Sequence, residues 1–251
     1  MKTVLITGCS GGFGREIAAY FLAREWKVVA TMRDLSANIL PASEHLRVLQ
    51  LDVTCPESIT AAVAEAGVID VLVNNAGIGW LNAIEGSSLK IVREVFETNT
   101  FSAVAMMQAV LPGMRKRQSG VIVNVSSSTT LKSLPLLSIY CASKAAINAL
   151  TESAALELAE FGIRARVVVP GASPETDFGN KGRAKIMSEG GFPEAYAAFA
   201  QRTMSAMQHA GQENLTRATD VAEAVYRAAT DPDCPMFLPA GADAIALAKR
   251  D

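Results

Sequence analysis

The chain has 251 residues, half of them hydrophobic and 19% charged, a balance that excludes a disordered chain and suits a large α/β core. Lys plus Arg number 23 and Asp plus Glu 25, so the net charge of −2 provides no field for gathering nucleic acid. No apolar run reaches the roughly 20 residues of a membrane span, and residues 1–7 meet Gly8 too soon for a signal peptide. Cys9, Cys55, Cys141 and Cys234 show neither CxxC nor zinc-like spacing with the two histidines. The expectation is a cytoplasmic protein of reduced thiols, without metal, nucleic acid or membrane segment.

Residues 2–7, rich in Val, Ile and Leu, read as a strand buried on both faces. Gly8, Gly12 and Gly14 follow it and open a helical pattern over 13–24. Such a turn lets a pyrophosphate meet the free N–H groups and positive dipole end of a helix N-terminus, with no side chain in the way. A second strand at 27–32 runs into Arg33-Asp34. A third at 46–51 precedes Asp52-Val53 and a helix over 57–66. A fourth at 69–73 leads into Asn74-Asn75-Ala76-Gly77. The long helical pattern 89–111 is expected to stop at Pro112, the fifth strand (120–125) ends in a serine run, and the helix 140–161 stops at Gly162. The sixth strand, 163–169, ends at Pro170-Gly171. Alternation of this kind requires a parallel sheet with helices on both faces, because parallel neighbours need crossovers.

The rhythm then lapses. Residues 172–212 read as a Gly-rich loop followed by a helix at 193–209; Asp220 is expected to cap a helix ending near Ala229, and 236–238 forms a last strand. The reading is one doubly wound α/β domain over 1–251, with about seven strands and a helical lid at 172–215.

At Tyr140-Cys141-Ala142-Ser143-Lys144, tyrosine and lysine four apart at a helix start share one face. A phenol with its ordinary pKa near 10 is a poor base at neutral pH, and a nearby ammonium together with the positive nicotinamide ring of an oxidised cofactor is expected to lower it. After the second strand, the position where an acid would receive the ribose 2′-OH is Met32, and Arg33 follows. A guanidinium forks onto a phosphate dianion, which favours NADP, with Ser10 as a second donor. Arg33 stacking on adenine, or Asp34 folding back to the ribose, leaves NAD open.

Taken together, Gly8-x-x-x-Gly12-x-Gly14, Asp52-Val53, Asn74-Asn75-Ala76-Gly77, Tyr140-x-x-x-Lys144 and Pro170-Gly171 resemble the short-chain dehydrogenase/reductase family over essentially the whole chain, nearest its hydroxysteroid and retinol dehydrogenases. The resemblance implies a Rossmann fold in which Gly8, Ser10, Gly12, Phe13, Gly14, Arg33, Asp52, Val53, Asn75, Ala76, Gly77, Pro170 and Gly171, with Tyr140 and Lys144, contact the dinucleotide. It assigns catalysis to Tyr140, Lys144, Asn99 and Ser127, the last standing thirteen residues before Tyr140 at the family's spacing. Hydride transfer between nicotinamide and a ketone or secondary alcohol follows, as does a homodimer or homotetramer paired through the two long helices. The alternative is a fold-mate that binds NADP(H) as a sensor without turnover. Two departures stand out: Phe13 replaces the usual Ile, and the threonine after Pro170-Gly171 comes one residue late, at Thr176. Phe178, Met187, Phe192, Tyr196 and Phe199 suit a lipophilic substrate, whereas Arg183 or Lys185 would suit a carboxylate.

Overall fold

The buried aliphatic runs pair as β1 (Thr3–Ile6), β2 (Lys27–Met32), β3 (Leu46–Gln50), β4 (Val71–Asn74), β5 (Gly120–Val125), β6 (Ile163–Pro170) and β7 (Phe237–Ala240). They belong to a computed structural model that describes residues 1–209 and 215–249. Every pairing is parallel, in the order β3-β2-β1-β4-β5-β6-β7. On one face, α1 (Gly12–Leu22) and α8 (Ala218–Thr230) press Ile17, Phe21, Val221 and Val225 onto Val4, Ile6 and Val28. On the other, α2 (Pro56–Ala66), α4 (Ser102–Arg117) and α5 (Ser138–Ala159) bring Ile59, Met106, Val110 and Leu158 onto Leu5, Leu72 and Ile122. The strand order reverses around β1, opening a crevice at the carboxyl ends of β1 and β4 where such folds seat a ligand.

Three local expectations are corrected. Pro112 does not stop its helix: α3 (Leu89–Phe96) passes through a π turn (Glu97–Phe101) into α4, which ends only at Arg117, where Gln118 turns left-handed. The ring lies on the exposed side, while Met106, Val110 and Met114 seat the flanking turns in the core, so burial outweighs one lost hydrogen bond. Asp220 is not the cap of α8 but sits three residues in, its carboxylate reaching back to the Arg217 N–H at 2.9 Å. Helix α6 (Phe178–Ser188) occupies part of the expected loop. Its two glycines and single buried residue, Ile186, carry no apolar period. A 3₁₀ turn (Glu194–Tyr196) and α7 (Ala197–His209) follow, and α9 (Ala242–Ala248), unexpected from sequence, closes the chain. Of the expected lid, 210–214 lie outside the described residues. Among the described residues no helix is long and apolar enough to cross a membrane.

Candidate active site

The glycine turn is dictated by crowding. Gly8 and Gly12 hold φ of +76° and +53°, and a Cβ on Gly14 would stand 2.2 Å from the Gly8 carbonyl oxygen and 2.7 Å from Asn75 Nδ2. Helix α1 starts there with no side-chain cap and no acid in its first turn, so its leading N–H groups remain for an anion. Thr7 Oγ1 accepts from the Asn75 and Ala76 N–H groups, each at 3.0 Å, while Asn75 Nδ2 donates to the Thr7 and Gly8 carbonyls at 2.8 and 3.3 Å. Asn75 thus spends its side chain on holding the turn. Gly14→Ala is expected to cost on the order of 2–4 kcal/mol, whereas Gly11→Ala, whose Cβ meets nothing within 4 Å, is expected to melt like the wild type. Thermal melts of the two variants check this.

At the end of β2, Met32 is buried and cannot serve a ribose, and Arg33 is exposed, its carbonyl accepting from Gln50 Nε2 at 3.0 Å. The Asp34 carboxylate accepts from the Ser36 hydroxyl and N–H at 2.7 and 2.9 Å, bonds that hold its pKa low and close it into its own turn. Ser10 is exposed on the glycine turn. Asp52 Oδ1 accepts from the Thr54 N–H and hydroxyl at 2.9 and 2.7 Å, which lowers its pKa, and the Val53 side chain enters the core.

The catalytic candidates converge at the ends of β5 and β4. Ser127 leaves β5, its Oγ accepting from the Thr129 N–H at 3.3 Å and bonding the Tyr140 phenol. Tyr140 lies in the first turn of α5, and Lys144, one turn on, donates from Nζ to the Val125 carbonyl at 3.0 Å. All three are buried. In the protein alone, burial pushes Tyr140 up to about 12, only partly offset by the Ser127 bond, and pushes Lys144 down to about 8. Desolvation disfavours the charged form of each. At neutral pH Tyr140 therefore keeps its proton.

Asn99, in the π turn, is fully engaged: Oδ1 accepts from the Ile78 N–H at 2.8 Å, and Nδ2 donates to the Ile78 carbonyl at 2.9 Å and Ser143 Oγ at 3.0 Å. Ser143, buried and not singled out from sequence, donates in turn to the Tyr140 carbonyl at 2.7 Å. Asn99 thereby clips the loop after β4 to the helix that carries Tyr140. Between Asn99, Lys144, Asn74, Asn124 and Thr7 lies a cavity of about 10 Å³, room for one water. A Cβ on Gly77 would crowd Asn99 Oδ1 at 3.2 Å and Lys144 Nζ at 3.4 Å.

Above these groups lies α6. The Phe178 ring packs on Tyr140 with centroids 5.7 Å apart, and a Cβ on Gly79 would be 2.9 Å from the Phe178 ring. Ile186 is buried with Trp80, Ile91, Val95 and Ile139, and Lys185, the alternative carboxylate partner, is paired with Glu94. Arg183 is exposed. Phe192 and Tyr196 pack with Ala83, Leu136 and Ala200, whereas Met187 and Phe199 face outward. Thr176 lies against Gly12, and Gly171 follows the end of β6, its N–H donating to the Ala240 carbonyl at 3.1 Å.

A parallel sheet with its crevice at the strand-order reversal, an uncapped helix start and a Ser–Tyr–Lys cluster beside it define a dinucleotide-type α/β protein. The chain belongs to the short chain dehydrogenase family, whose model matches residues 2–186. Human retinol dehydrogenase 8 is 43% identical over 181 residues, 68% of this chain; the chain spans only 58% of that relative's length. A short-chain dehydrogenase from Streptomyces avermitilis is 34% identical and superposes with a TM-score of 0.83, covering 98% of this chain and 90% of that one. The closed form of serine dehydrogenase complexed with NADP+ is 27% identical with a TM-score of 0.79, covering 95% and 94%.

Proposed function

We propose that the protein is an NADP(H)-dependent oxidoreductase that interconverts a lipophilic ketone and its secondary alcohol, working as one Rossmann unit with residues 172–215 as its lid. The observation that carries this is the buried Ser127–Tyr140–Lys144 cluster beside a glycine turn that only bare backbone fits. The nicotinamide, seated across the strand ends, would supply the hydride. Ser127 would hold the carbonyl oxygen and Tyr140 would give it a proton. Lys144, with the one-water cavity behind it at Asn99, would return that proton. The remaining candidates keep the roles that the family resemblance implies: Gly8, Ser10, Gly12, Phe13 and Gly14 at the phosphates, Asp52, Val53, Asn75, Ala76 and Gly77 along the adenosine, Pro170 and Gly171 beside the nicotinamide.

Preference for NADP rests on Arg33, because Asp34 is closed into its own turn and Met32 is buried. The lipophilic substrate rests on Phe178 against Tyr140 and on the names of relatives such as retinol dehydrogenase. The proposed assembly is a homodimer or homotetramer through α4 and α5, beside which Phe101 and Leu156 are exposed. The free cysteines fit the proposed cytoplasmic setting.

Paired initial-rate assays with NADPH and NADH on lipophilic and polar ketones test the reading. Turnover is expected with NADPH. Arg33→Ala is expected to lower kcat/KM for NADPH about 10- to 100-fold and to leave NADH unchanged. Preference for NADH in the wild type would remove the Arg33 argument. Tight NADPH binding with no turnover on any carbonyl would favour the sensor instead.

A further inference from the structure

We propose that Asp243 is a positioning residue for the nicotinamide half of the cofactor, acting through Thr216 and the turn at Gly171-Ala172; this rests on the cofactor reading above. The β6–β7 ladder loses donors where that turn begins, since Pro170 and Pro239 have no N–H. A carboxylate from α9 takes over. Asp243 Oδ2 accepts from the Ala172 N–H at 2.7 Å and Oδ1 accepts from the Thr216 hydroxyl at 2.6 Å. The Thr216 oxygen in turn accepts from the Gly171 N–H at 3.1 Å, and the Thr216 N–H donates to the Ala172 carbonyl at 3.0 Å.

The packing leaves no room for another arrangement. A Cβ on Gly171 would stand 2.0 Å from Asp243 Oδ1, and one on Gly241, at φ +92°, would stand 1.9 Å from Thr216 Oγ1. Gly171 is therefore bare because a carboxylate lies on it, a different reason from the crowding at Gly14. Two things hang from this latch. Ala172 opens the proposed lid segment and Thr216 follows directly on its last residue, so the latch ties together the two places where it joins the fold. The stretch leaving Ala172 carries Ser173, whose hydroxyl is buried without a partner, and Thr176, which lies against Gly12. It thus runs from the end of β6 to the glycine turn, across the crevice. Moving its base moves whatever lies under it.

Binding of NADPH and of adenosine 2′,5′-bisphosphate, which lacks the nicotinamide half, separates positioning from general support. Asp243→Ala and Thr216→Val are each expected to weaken NADPH about tenfold and to leave the bisphosphate within about twofold. Thr216→Ser, which keeps the hydroxyl, is expected to bind both like the wild type. Equal losses for the two ligands, or no loss for NADPH, would overturn the proposal. Should Asp243→Ala melt below the assay temperature, Thr216→Val carries the same test. Wild-type protein that binds neither ligand would overturn the cofactor reading and this inference with it.

Discussion

Tyr140→Phe is expected to lower kcat for ketone reduction by about 100- to 10,000-fold while NADPH affinity stays within about twofold. Phenylalanine keeps the ring that packs on Phe178 and removes one hydroxyl. That hydroxyl is the only part of the side chain that can give a proton to the substrate oxygen. Burial holds it as a phenol, up to about 12, which suits a donor during reduction and leaves it poorly prepared as a base before the cofactor arrives. Steady-state rates and NADPH titration on the same preparation check the split. A variant that keeps most of its kcat would show that another group supplies the proton, and Ser127, bonded to the phenol, would be the first to examine.

Lys144→Met is expected to abolish turnover and to change how stability depends on pH. Burial pushes Lys144 down to about 8, whereas in the unfolded chain it holds its proton to its ordinary value of 10.5. Between those values the unfolded state carries more protons, so the wild type gains stability as pH rises through that window and carries the full cost of the buried charge below it. The whole effect is worth about 3 kcal/mol. Cys9 and Tyr140, both pushed up to about 12 by burial, act the other way above pH ~9 and ~10, where their unfolded forms ionise. The informative quantity is therefore the difference between wild type and variant in urea unfolding, without cofactor. From pH 8 to pH 9 the wild type is expected to gain on Lys144→Met by about 1 kcal/mol. Parallel pH profiles would mean that Lys144 is not desolvated as its surroundings imply.

Local chemistry was readable from the residues alone. The strands appear as continuous Val/Ile/Leu runs because a parallel sheet buries both faces, and β5 is buried at every position. Gly8, Gly12 and Gly14 stand out because a bare turn has few substitutes, and Tyr140 and Lys144 because four residues is one helical turn. Ser127 entered through family spacing and Asn99 through family resemblance, and geometry then gave Asn99 partners that neither contains: Ile78 and Ser143.

What sequence order alone determined about this chain is therefore the alternation of strands and helices from β1 to β6, the glycine turn and the one-turn pairing of Tyr140 with Lys144, all set by contacts within a few residues. Tertiary structure decided the rest. Pro112 stays inside a helix because distant core residues hold both sides of it. Lys185 is taken by Glu94, ninety-one residues away. The phenol of the protein alone is raised because Phe178 and the surrounding core exclude water from it. Asp243 meets Ala172 across seventy-one residues. Local spacing constrains conformation, but burial and long-range hydrogen bonds set the charge and position of a side chain, and those exist only once the chain has closed on itself.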